Sequence, residues 1–176
     1  MKINQPGRRQ KGFTLLELLA TIVLIAIFGA IVLGRINGGR ADGRAQGEAD
    51  IVVDMFNAMT GLKAGGSYGA TGTDLSGALI AKQKIPSAYN ATVGAVTNQY
   101  GGAVSLVSSG TTVKLTENGY PPEACVAVAQ KVSTLGSATL TVNGSNLGSA
   151  VVGGSAAANA CSQAGQANVV VIQSLS

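Results

Sequence analysis

At 176 residues the chain is long enough for one domain plus a membrane segment, yet only 11% of its residues are charged. It has no histidine and two cysteines, so the usual metal ligands and the commonest general base are missing. The formal net charge of +4 does not mark a nucleic-acid binder: four of the 12 cations precede Gly12, and the other eight are matched by eight Asp and Glu.

Residues 1–12 read as a basic leader. Lys2, Arg8, Arg9 and Lys11, set directly before an apolar run, mark the cytoplasmic side of a membrane. Phe13 to Leu33 carries one charge, Glu17. As a helix this run would span roughly 30 Å, the thickness of a bilayer's hydrocarbon core. A carboxylate in that medium costs on the order of 3 kcal/mol, so Glu17 needs a partner or a task. A cleaved secretory signal would have a shorter apolar core and gives Glu17 no role; a plain single-span anchor gives it none either.

Helical periodicity persists past Leu33. Ala41, Ala45, Ala49, Val52, Phe56, Met59 and Leu62 recur at spacings of three and four, with Asp42, Arg44, Glu48, Asp50 and Asp54 off that stripe. No proline stands between Phe13 and Lys84. One helix is predicted over Phe13 to Leu62, with an apolar half, 13–34, that projects, and an amphipathic half within 35–64 that packs on a body formed by 65–176. Glycines inside a helix cost about 1 kcal/mol each relative to alanine. Gly34, Gly38 and Gly39 therefore either allow close helix–helix approach or mark a segment that unwinds on assembly.

The body reads as β-rich. A glycine-rich loop after Lys63 carries no phosphate-binding motif and leads to a short helix starting at Thr73 or Asp74 and ending by Pro86. Ala103–Ser108 and Thr112–Thr116 alternate around a hairpin loop, 109–111. The run from Pro121 to Val132 opens with prolines and Glu123 and reads as a short helix. Ala138–Val142 precedes the turn signal Asn143-Gly144, and Asn168–Leu175 reads as a final strand. The stretch between, 143–166, has no periodicity. Asn90-Ala-Thr92 and Asn143-Gly-Ser145 match a glycosylation pattern but read as plain loop sequence. Cys125 and Cys161 have neither CxxC spacing nor a histidine. In an exported segment they would pair as a disulfide bounding 125–161, the alternative being two buried free thiols.

Basic leader, Lys11-Gly12, Phe13-Thr14-Leu15-Leu16-Glu17 and an unbroken apolar helix together resemble the class III signal of type IV pilins. The resemblance implies cleavage by a prepilin peptidase between Gly12 and Phe13, N-methylation of Phe13, and a Glu17 that neutralises the neighbouring subunit's new amine and sets the register of assembly. It also implies an α+β fold, a long N-terminal helix packed on an antiparallel sheet with a disulfide-bounded C-terminal region. The run from Gly66 to Val132 is similar to the type IVb group, in particular the thin-pilus pilins of conjugative plasmids, whereas the short leader and Phe13 resemble the type IVa group.

The function so implied is structural: a major pilin forming a homopolymeric extracellular filament, with no enzymatic activity and no cofactor or metal. Its partners would be further copies of itself, the prepilin peptidase, the inner-membrane assembly machinery and, before assembly, the bilayer of a Gram-negative inner membrane; direct nucleic-acid binding is not expected. The competing readings are a type II secretion pseudopilin and a minor tip adhesin. Against the pseudopilin, the last acidic residue is Glu123, which leaves a C-terminal calcium site without charged ligands.

Overall fold

A computed structural model describes residues 15–176, with side chains at 18–28 and 40–176. Gly12 and Phe13 lie outside the described residues, as does the side chain of Glu17. The elements in chain order are α1 (Leu15–Thr60), α2 (Ser76–Ala81), β1 (Asn90–Thr92), β2 (Ala95–Thr97), β3 (Ala103–Ser108) and β4 (Val113–Tyr120), followed by α3 (Pro122–Ser133), β5 (Ala138–Val142), β6 (Ser145–Gly148), α4 (Gly154–Ala160) and β7 (Asn168–Ser174). The chain divides into two compact units, up to Arg40 and from Ala41 onward.

α1 is continuous through Gly34, Gly38 and Gly39 and ends at Thr60, two residues before the expected Leu62. In the second unit its inward face holds Ala45, Ala49, Val52, Phe56 and Met59, as the periodicity predicts. That face is wider than the predicted stripe: Met55 and Glu48 are fully buried too, whereas Ala41 is exposed and Leu62 half-buried. Glu48 follows Ala45 by three residues and precedes Val52 by four, which puts it on the core side of the helix. The expectation that Glu48 lies off the packed stripe is therefore corrected.

The seven strands form one sheet in the order β1-β2-β3-β4-β7-β5-β6, and every pairing is antiparallel. The C-terminal strand β7 lies between β4 and β5, so the last strand made joins the two halves of the sheet. Alternation assigns the faces: Val113, Leu115 and Glu117 of β4, Ala138, Leu140 and Val142 of β5, and Val170 and Ile172 of β7 point inward. They share one core with the α1 face and with Ala124, Val128 and Val132 of α3. At about 25 cal/mol per Å² of apolar surface removed from water, this burial is the main force holding α1 to the sheet. The surface ion pair Lys131–Asp50 between α3 and α1, at 2.8 Å and half-exposed, is screened by solvent and adds little to that burial.

β3 and β5 have their predicted bounds, and β4 runs on from the predicted Thr116 to Tyr120. The hairpin β1–β2 and the strand β6 are additions to the predicted set. α2 begins at Ser76, after Asp74 has accepted hydrogen bonds from the Ser76 backbone N–H and hydroxyl. It ends before Pro86, in a turn where Gln83 N–H donates to the Ile80 carbonyl and Lys84 N–H to that of Leu79, with Gln83 left-handed at φ 54°.

The stretch 143–166, expected to be irregular, is ordered by particular contacts. Asn143 and Gly144, at φ 49° and 82°, make the tight turn between β5 and β6. The Asn143 side chain donates to the carbonyl of Ala160 and to Asn168 Oδ1, and accepts from Val169 N–H, each at 2.8 Å. Asn168, itself fully buried, donates to the carbonyls of Tyr120 and Gln163. With its amide committed in this way, Asn143 is a structural turn residue. Cys125 of α3 and Cys161, just after α4, form a disulfide with Cα atoms 5.7 Å apart. Closing that loop stabilises the fold by about 4 kcal/mol in the chain-entropy treatment. Cys125→Ser should therefore lower the urea midpoint of the oxidised protein and match the wild type once both are reduced. A gap that persists after reduction would assign the loss to packing.

Candidate functional site

The first region of interest is the start of α1. Glu17 lies in its opening turn, and Gly12 and Phe13 precede the described residues. Downstream, Leu18, Leu19, Ile22, Val23, Leu24, Ile25, Ile27 and Phe28 are each more than half exposed, with Ile25 at 71%. They occupy every side of the helix, unlike the one-sided stripe of a helix lying on a protein surface. So much uncovered apolar surface calls for lipid or other protein around it. Among the described residues no helix is long and apolar enough to cross a membrane, and the expected span, 13–34, extends at both ends beyond the described side chains, 18–28.

The second region is a polar cluster inside the head. Glu48 of α1 and Glu117 of β4 are both fully buried. Glu48 Oε1 accepts hydrogen bonds from the hydroxyls of Tyr89, at 2.6 Å, and Tyr120, at 2.9 Å, while its Oε2 accepts one from the Gln99 amide. Glu117 Oε2 accepts from Asn98 Nδ2 at 3.2 Å, and its Oε1 lies 3.3 Å from the Tyr89 hydroxyl. Above the pair, Arg44 reaches over the ring of Tyr100, 4.3 Å from its centroid, and donates to Gln99. Tyr100 meets Tyr120 edge to face, with centroids 5.8 Å apart.

Proton placement follows from the donors. Three donors converge on Glu48, the pattern of an ionised carboxylate. Tyr89 has one hydroxyl hydrogen, which the short contact commits to Glu48. The contact between Tyr89 and Glu117 then takes a proton on Glu117. Burial, reinforced by the charge of Glu48 and opposed by the Asn98 hydrogen bond, pushes the Glu117 carboxyl up to about 8. Burial next to the same carboxyls also raises Tyr89 and Tyr120 well above the ordinary phenol range, so both remain donors.

Sequence comparison joins the two regions. A family model described as PilS N terminal matches residues 44–175, and the prokaryotic N-terminal methylation motif matches residues 7–33. The chain belongs to the type IV pilins, in the PilS family. No curated protein sequence matches it. The pilin's fold is similar to that of the type IVb pilin from Salmonella typhi in its crystal structure, at 19% identity and a TM-score of 0.57, over 74% of this chain and 97% of that one. The methylation motif contains Gly12, Phe13 and Glu17; the PilS match contains the whole buried cluster and both cysteines of the disulfide.

Reading the pilin's sequence finds the first region and misses the second. A signal for it was present. In Val113-Lys114-Leu115-Thr116-Glu117 the carboxylate falls on the apolar register of the alternation, and Glu48 falls on the apolar side of α1. Tyr89, Asn98 and Gln99, set in loops, carry no such periodic signal.

Proposed function

We propose that this pilin is the filament-forming subunit of an extracellular pilus. Cleavage after Gly12 exposes the amine of Phe13, which is then methylated, and residues 13–34 hold the subunit in the inner membrane until it is extracted. In the filament the apolar helices pack together, and Glu17 of one subunit neutralises the Phe13 amine of its neighbour. Each charge alone is costly in an apolar bundle, and pairing offsets most of that cost. Adhesion comes from the apolar surface and axial register from the ion pair. The segment Gly34–Gly39 is where the helix would give way if the filament stretches. The observation that carries this reading is the uncovered apolar surface from Leu18 to Phe28, within the stretch that the methylation motif matches. We assign the subunit no catalytic role, cofactor or nucleic-acid ligand.

Shearing filaments from cells and weighing their composition tests the proposal. This chain should make up the bulk of the sheared protein. A trace amount would place it at the tip as a minor pilin, and confinement to the periplasm would make it a pseudopilin; either result overturns the assignment.

A further inference from the structure

We propose that Glu48, Tyr89 and Glu117 form a proton-held joint between α1 and the sheet, closed while the two carboxyls hold one proton between them and loosened when alkaline solution removes it. The geometry is a chain: the Tyr89 hydroxyl stands between the carboxyls, 2.6 Å from Glu48 Oε1 and 3.3 Å from Glu117 Oε1. Its one hydrogen can serve only one of them, so with Glu48 taking it the Glu117 contact calls for a proton on Glu117. Glu48 is the only part of the chain contributed by α1, so the chain ties helix to sheet directly. The charged and titratable groups around it are Glu48 and Arg44 from α1, Tyr89 from the loop before β1, Tyr100 between β2 and β3, Tyr120 of β4 and Glu123 of α3. Arg44 acts from the solvent side, through Gln99 and the Tyr100 ring, and makes no hydrogen bond to either carboxyl.

When hydroxide takes the Glu117 proton, water and a second buried carboxylate result, and Tyr89 is left with one hydrogen for two anions. Glu117 cannot retreat, because its strand is paired on both sides, with Val104 of β3 and Val170 of β7. Relief comes from the helix side, by withdrawal of Glu48 and entry of water. The inference holds whether the pilin is a major or a minor subunit.

The sign follows from linkage. The Glu117 carboxyl is raised in the folded state, so its contribution is complete below the ordinary glutamate range and is lost as pH climbs to about 8. Across that window it lowers the folding constant by about tenfold per pH unit. The test uses the full-length, disulfide-intact pilin in detergent micelles, unfolded with urea from pH 5 to pH 9.5 and followed by tyrosine fluorescence, the chain having four Tyr and no Trp. Glu117→Gln should flatten the pH dependence and leave the variant more stable than wild type at the alkaline end, because the amide donates to Tyr89 as the protonated acid does. Equal pH dependence in the two proteins would overturn the proposal. Infrared spectra of the wild type give a second readout that does not depend on the variant's folding. A protonated-carboxyl band should be present at neutral pH and vanish in alkali, and its absence at neutral pH would equally overturn the joint.

Discussion

Glu17→Ala is expected to leave the pilin exported and processed while stripping the cell surface of filaments. The variant keeps the leader, Gly12 and the apolar helix that the peptidase and the membrane would engage, so the effect falls on assembly. Without the carboxylate, each subunit that docks buries the Phe13 amine with no counter-charge. Removing one partner of a buried ion pair costs about 3–5 kcal/mol. Per docking step that is a loss of roughly two to four orders of magnitude in affinity, and every subunit in the polymer suffers it. Glu17→Gln should be nearly as defective, because it restores shape without charge. Normal piliation of either variant, seen by electron microscopy of cells with wild-type levels of mature protein, would contradict the register argument.

The second large effect is expected at Gly102. A Cβ on this residue would stand 1.7 Å from the Asn118 carbonyl oxygen and 2.5 Å from its carbon, both backbone atoms that no side-chain rotation can clear. The approach is mutual, since a Cβ on Gly119 would come within 2.8 Å of Gly102 Cα, and Gly119 sits at φ 77° in the bulged stretch where β4 shifts register against β7. Gly102 is further fixed by Asn98, whose Oδ1 accepts from the Gly102 N–H and whose N–H donates to the Gly102 carbonyl. Asn98 also holds Glu117, so displacing Gly102 disturbs the buried acid pair along with the strand crossing. Gly102→Ala should destabilise the head by several kcal/mol, on the order of 4, at the severe end for a single substitution. Gly153→Ala, where nothing lies within 4 Å of the new methyl, should change the urea midpoint little. Equal midpoints for the two variants would contradict the close crossing.

How far the sequence carries the account depends on the kind of signal each element leaves. α1 was legible because its apolar positions recur at helical spacing over many turns and no proline interrupts it. β3, β5 and β7 were legible because they alternate and are bounded by turn residues. β6 and α4 were missed because the first is a short edge strand and the second an alanine-rich turn of helix without apolar period; contacts made by Asn143, Asn168 and Cys161 place them. The β1–β2 hairpin is two strands of three residues, too short for alternation to register. Glu48 was misplaced for a different reason. A glutamate on a helix is ordinarily a solvent-facing residue, and its burial here depends on Tyr89, Gln99 and Tyr120, which lie 41 to 72 positions away. Periodicity does put Glu48 on the apolar side of α1, but it has no access to the distant partners that make a carboxylate there tolerable. Gly12, Phe13 and Glu17, proposed for processing and assembly, form the opposite case, since a local motif points to them and the described structure begins after Phe13.

The central claim is that Phe13 starts the mature chain and that this chain builds a filament. The most direct test is the intact mass and N-terminal sequence of the protein sheared from cells. A chain beginning with N-methylated Phe13, lighter by two hydrogens for the Cys125–Cys161 bond, is the predicted result. A chain starting beyond Phe28 would mean ordinary signal cleavage, would assign Glu17 to a discarded peptide, and would contradict the account.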